Sequence, residues 1–203
     1  MTRERIAWWL RILEATLSIA AVCALGWYAA ARVAAERDQT ELSRELESYA
    51  ARAVSDPRLA APVRPEKLAT GSLVGRIDVP RLDISVVARE GADVATLRRA
   101  VGHVPSTALP GRPGNAAFAG HRDSFFRNLR GIRAGDRIVV TTPAGRHEYV
   151  VRDTRVVKPT DVSVLDPTPD PTLTLVTCYP FSYVGPAPKR FIVRAELDSP
   201  AAD

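Results

Sequence analysis

Beyond Gly71 the chain is a succession of short β-favouring runs, and this texture limits what it can fold into more than any other feature. The runs fall at residues 73–79, 84–88, 116–119, 137–141, 148–157, 172–177 and 190–196, with Gly or Pro in nearly every gap. Seven short strands with so little helix between them close into a barrel or stack as a sandwich. Asp93 stands where it can cap a helix over 94–101, and residues 124–129 predict a second short helix. No segment of 20–50 residues recurs along the chain, which excludes a solenoid.

The first third reads differently. Residues 15–31 are 17 consecutive positions without a charge, and apolar character extends back to Ile6. Trp8 and Trp9 precede the run and Trp27 and Tyr28 close it, as aromatic residues do at the two interfaces of a membrane. A cleaved signal peptide is the competing reading, with Arg3 and Arg5 as its basic start and Ala29 to Ala31 as its cleavage site. The length of the run and the helical texture after it favour an anchor. Arg3, Arg5 and Arg11 are balanced by Arg32, Arg37 and Arg44, so charge does not orient the helix, and export of the larger C-terminal part is the simplest topology. Residues 36–54 alternate Arg with Glu around Leu42, Leu46 and Tyr49, a pattern that predicts a helical stalk. Pro57, Pro62 and Pro65 then predict a linker. The expected organisation is a tail and anchor over 1–34, stalk and linker over 35–71, a barrel over 72–198 and a disordered tail over 199–203.

Residues 73–198 carry 18 Lys and Arg against 13 Asp and Glu, an excess of 5. Such a surface suits an anionic envelope, but no run of five like charges occurs and no aromatic residues interleave with basic ones, which sets nucleic-acid binding aside. Of the two cysteines, Cys23 lies in the apolar run. Cys178 is therefore the lone thiol of the globular part, and in an exported domain such a thiol is either reactive or packed away.

Cys178 ends a run in which Leu173, Leu175 and Thr177 alternate with Thr174 and Val176. A thiol at a strand end is held firmly and can still be reached, as covalent catalysis requires, whereas a small apolar residue plugging a barrel end is the other reading. His121 follows Gly120 at the end of another run; His103, at the close of the predicted helix, and His147, in an exposed hairpin, are its rivals. Arg190 opens the last run twelve residues after Cys178, where a guanidinium could return beside the sulfur and bind an oxyanion. Asn115, Thr177 and the Pro-rich 158–171 loop, through Pro159 and Pro167, are candidate substrate-binding positions. Asp161, Asp166 and Asp170 share that loop, but their spacing is not that of a calcium loop and prolines separate them. No metal and no cofactor is expected.

Thr172 to Pro180, TLTLVTCYP, resembles the signature of the sortase family, in which TLxTC ends at the nucleophile and an arginine follows about a dozen residues on. Leu109 to Asp123, LPGRPGNAAFAGHRD, is similar to the sortase segment that carries the catalytic histidine, and Gly135 with Asp136 matches a further turn. The stretch from Cys178 to Phe191 looks most like class D sortases, while the papain and L,D-transpeptidase patterns around a cysteine are absent. The resemblance implies a mainly β fold, a closed eight-stranded β-barrel with one or two short helices, preceded by a transmembrane helix. It further implies a Cys178 thioester, an Arg190-stabilised oxyanion and a proton supplied by His121. Its implied partners are secreted proteins bearing an LPxT-like sorting signal, an amine acceptor of the cell envelope and the cytoplasmic membrane, with the catalytic domain outside. A cysteine peptidase that hydrolyses the same signal, and a non-enzymatic membrane-tethered binding barrel, are the alternatives.

Overall fold

The computed structural model describes residues 3–55, 68–183 and 185–198. Contacts divide the chain into two units, Met1–Asp38 and Gln39–Asp203. Helix α1 runs over Arg3–Ser55, so the alternating Arg and Glu segment is helical, as its pattern predicts. Within it, the 23 residues Trp8–Ala30 are apolar enough to cross a membrane and none is buried; at 1.5 Å per residue they span about 34 Å, a little more than a hydrocarbon core. The Pro-rich linker around Pro57, Pro62 and Pro65 and the tail over 199–203 lie outside the described residues.

The second unit holds β1 (Leu73–Val79), β2 (Ile84–Glu90), helix α2 (Val94–Arg99), β3 (Val101–His103), β4 (Asn115–Ala119), β5 (Arg137–Thr142), β6 (Gly145–Val157), β7 (Thr172–Tyr179) and β8 (Lys189–Leu197). The strands close into one barrel in the order β1-β2-β3-β4-β7-β8-β6-β5, the eight-stranded barrel that the resemblance implies. Two of its pairings are parallel, β2 with β3 and β4 with β7. Alternation along each strand sends one set of side chains inward. Ile77, Phe118, Ile138, Tyr149, Leu173, Leu175 and Val193 are among the fully buried residues of the resulting core, each worth roughly 1.5–3 kcal/mol of burial.

Four sequence expectations are corrected. The helix expected over 94–101 is capped by Asp93 as read, its carboxylate accepting from Ala95 N and Thr96 N. It stops at Arg99 because Val101 pairs with Ala88 and starts β3, a strand of three residues that is too short to show a period. His103 thus ends a strand instead of a helix. It is buried, with Nδ1 2.7 Å from Glu90 Oε2 and Nε2 2.9 Å from the Ala108 carbonyl, so both ring nitrogens are committed to holding the chain. His147 is half-buried rather than exposed, its ring against Gly111, where a Cβ would come within 2.2 Å of it. Burial there lowers its pKa from the ordinary histidine value. The second short helix is a 3-10 turn at Arg127–Gly131, later than expected.

The Gly135–Asp136 turn is fixed by charge. Asp136, only 6% exposed, accepts from both Nε and Nη2 of Arg81 and, at 2.9 Å, from Arg133 N. The Arg81 hydrogen bond foremost, with the Arg133 amide and the positive charges around it, holds the carboxyl below the usual carboxylate range. A depressed folded pKa contributes stability that is present above the ordinary value and lost as pH falls through the folded one. The expected outcome for Asp136→Asn is a lower Tm at neutral pH and a flatter decline of Tm below about pH 4. Thermal melts across pH 2–7 check it, and an unchanged acid limb would remove Asp136 as its source.

Candidate active site

The site is built on the ends of three adjacent strands. Along β7, Leu173 and Leu175 belong to the core and Thr177 shares their parity; Thr174, Val176 and Cys178 therefore face outward. Cys178 is partly buried and free. Antiparallel register sets Cys178 directly opposite Arg190 on β8, so the two side chains leave the same face of the sheet as neighbours.

Strand β4 lies on the other side of β7, with Ala119 paired to Val176. The ladder continues one step further, Gly120 N donating to the Val176 carbonyl at 3.1 Å. Thr177 Oγ1 donates to the Gly120 carbonyl at 2.7 Å, so both main-chain groups of Gly120 are bound to β7. Gly120 also needs its missing Cβ, which would stand 2.6 Å from the Phe126 ring. His121 leaves the strand from this clamped position, two residues beyond Ala119, as Cys178 lies two residues beyond Val176 on the neighbouring strand. The turn is closed by Phe126 N on the His121 carbonyl at 3.0 Å, and the imidazole itself is exposed.

One arm of the Arg190 guanidinium is held by the main chain. Its Nη1 donates to the Lys189 carbonyl at 3.0 Å and the Ala187 carbonyl at 3.3 Å, which among the described residues leaves Nε and Nη2 as the donors available to a ligand. Beneath the loop after Cys178, Tyr179, Phe181 and Phe191 form an aromatic cluster with centroids 5.3–6.3 Å apart.

Of the other candidates, Thr177 and Asn115 are 2% and 1% exposed and their polar atoms are spent inside the protein, so neither can touch a substrate. Thr177 positions Gly120. Asn115 binds the 158–171 loop through the Val164 and Asp166 carbonyls and accepts from Thr174 Oγ1. Pro159 and Pro167 are exposed on that loop, on either side of its 3-10 turn, Ser163–Leu165. Among the described residues no cluster of His, Cys, Asp and Glu could hold a metal ion.

One functional candidate escaped sequence reasoning. Arg122 donates through Nη1 to the Pro180 carbonyl and through Nη2 to the Tyr183 and Gly185 carbonyls, at 2.7–3.1 Å, and its guanidinium lies 5.8 Å from the centre of the Tyr183 ring. It ties the histidine turn to the loop that follows the cysteine. Its position next to His121 was the available signal, but with 25 arginines in the chain it did not stand out.

With this geometry in hand, a family model described as the sortase domain matches residues 77–198. Sortase D of Bacillus subtilis is 34% identical over 125 residues, covering 61% of this chain and 63% of that protein. Sortase A of Listeria monocytogenes is 33% identical over 131 residues, covering 63% of this chain and 57% of that protein. The chain thus spans less than two thirds of the length of these relatives. The structure of a Clostridium perfringens Sortase D5 transpeptidase superposes with a TM-score of 0.64 at 26% identity, over 82% of this chain and 99% of that one.

The close approach at Gly120 is testable. Gly120→Ala is expected to destabilise the protein by about 1–3 kcal/mol through overpacking against Phe126, and Phe126→Leu added to it should recover part of that loss. Urea unfolding of the single and double variants measures both, and a single variant as stable as the parent would show that the ring does not confine this strand end.

Proposed function

The chain belongs to the sortase family, and from that premise we propose that it is a membrane-anchored cysteine transpeptidase of class D type, acting on LPxT-like sorting signals. The observation that carries the reading is the cross-strand pair of Cys178 and Arg190 on the outward face of β7 and β8, with the His121 turn fastened to the neighbouring strand end.

In this scheme the Cys178 thiolate attacks the carbonyl carbon of the signal's threonine. The C=O π electrons move onto oxygen, and the oxyanion accepts from the free Nε and Nη2 of Arg190. Collapse of the tetrahedral adduct breaks the C–N bond, and His121 gives its proton to the departing amine. The thioester that remains is opened by an incoming amine, which loses a proton to His121 as the new amide forms and the thiolate leaves. The register row next to the reacting one is apolar: Ala119 and Val176 are half-buried there, with the fully buried Ile192 packed beside them, and the first two suit the apolar residues that begin the signal. The 23-residue apolar segment of α1 supports anchoring in a membrane; export of the larger C-terminal part, the simplest topology, puts the N-terminus inside the cytoplasmic membrane and the barrel outside, where exported proteins and the amine acceptor of the envelope meet it.

Mass spectrometry of an LPxT-type peptide incubated with and without an added amine tests the reaction. An amide product that depends on the amine is expected; the free acid alone in both mixtures would leave a hydrolase. Cys178→Ala should form no thioester, and His121→Ala and Arg190→Ala should each lower turnover by about 10²–10⁴-fold with the fold intact. Near-normal turnover in either variant would reassign the site.

A further inference from the structure

Asn115, Thr174 and Arg194 take no part in that chemistry, yet together they tie the sheet to the 158–171 loop by side-chain hydrogen bonds. Asn115 Nδ2 donates to the Val164 carbonyl at 3.0 Å and the Asp166 carbonyl at 3.2 Å, and its Oδ1 accepts from Thr174 Oγ1 at 2.7 Å. Arg194 Nη2 adds a second donor to the same Val164 carbonyl at 3.3 Å. Strands β4, β7 and β8 each send one side chain to this knot, and Thr174 and Arg194 are direct cross-strand partners. The orientation of the Asn115 amide is forced, since the flipped form would set Oδ1 against two carbonyls that cannot donate. With Asn115 and Thr174 fully buried, each bond is made away from water, where loss of one partner strands the other.

We infer that Asn115, supported by Thr174 and Arg194, is a positioning residue that presets the Ser163–Leu165 turn as a wall of the acyl-donor groove. The inference rests on the donor reading above. Thr174, Val176 and Cys178 leave β7 on one face, so the knot stands four residues from the nucleophile, about 13 Å along the strand at 3.3 Å per residue. An extended peptide advances by a similar amount per residue, so a segment of about four residues, the length of an LPxT core, reaches from Cys178 to the pinned turn. Pinning also decides which valine the loop offers: Val164 is 4% exposed under the turn and Val162 is 66% exposed beside it. A wall already fixed by the sheet spares the donor the cost of ordering it on binding.

The test compares the full chain in detergent with its Asn115→Ala, Thr174→Val and Thr174→Ser variants. Amide hydrogen exchange across residues 162–167 and steady-state kinetics with a Leu-Pro-Glu-Thr-Ala peptide are the readouts. In Asn115→Ala, exchange should quicken and the donor KM should rise about tenfold, the equivalent of one to two buried hydrogen bonds. The kcat should stay within about twofold and the KM of the amine should not move, the pattern of lost ground-state binding. Thr174→Val should shift the same quantities in the same direction, and it carries the test if Asn115→Ala does not fold; Thr174→Ser, which keeps the hydroxyl, should match the parent. Unchanged exchange, or an effect on kcat with the donor KM constant, would overturn the inference. Should the parent process no LPxT-type peptide while exchange still quickens in Asn115→Ala, the tether stands and the donor reading falls.

Discussion

The parallel pairing of β4 with β7 is the constraint on which the site depends. It joins the strand that leads to His121 to the strand that carries Cys178 near its end, across an interval of sequence that contains the whole β5–β6 hairpin. Parallel neighbours cannot be linked by a tight turn, so this register is set by the closed barrel and not by any local signal. At its end the two strands are fastened by the Gly120 amide on Val176 and the Thr177 hydroxyl on Gly120. A slip of one residue would turn Cys178 inward and Thr177 outward. The thiol faces solvent because Leu173 and Leu175 claim the interior.

Once β7 is fixed, its antiparallel partner follows. The β7–β8 register brings Arg190 opposite Cys178, Ile192 opposite Val176 and Arg194 opposite Thr174, so one outward face carries the thiol–guanidinium row, an apolar row and a polar row in sequence. The rows differ in what they supply. The first sets a thiol beside a guanidinium, the second is apolar, and the third holds the adjoining loop by hydrogen bonds. Arg122 does for the loop after Cys178 what Asn115 does for the loop before β7, binding main-chain carbonyls so that both loops are tied to the barrel.

Much of this was legible in the residues. The alternation of Leu173, Leu175 and Thr177 gives the facing of Cys178, and the Asp93 cap marks the start of α2. Strand β3 was not legible, because three residues have no period, and without it His103 falls on a helix. Asn115 and Thr177 resemble substrate contacts in the sequence because polar residues near strand ends usually meet solvent; both are buried, and their partners lie 49 to 59 residues away in the chain. The burial of His147 is hidden for the same reason, since what covers it is Gly111, from a loop distant in sequence.

By itself the sequence determined the apolar helix, the β-rich domain and the identity of Cys178, His121 and Arg190 as the residues to watch, since periodicity, capping and motif spacing are local properties. Tertiary structure alone decided which residues stand opposite one another. It made Arg190 the cross-strand neighbour of the thiol, turned Asn115 from a surface contact into a buried tether and recruited Arg122 from among many arginines. Those assignments depend on register and barrel closure, and both are properties of the whole sheet that no single segment carries.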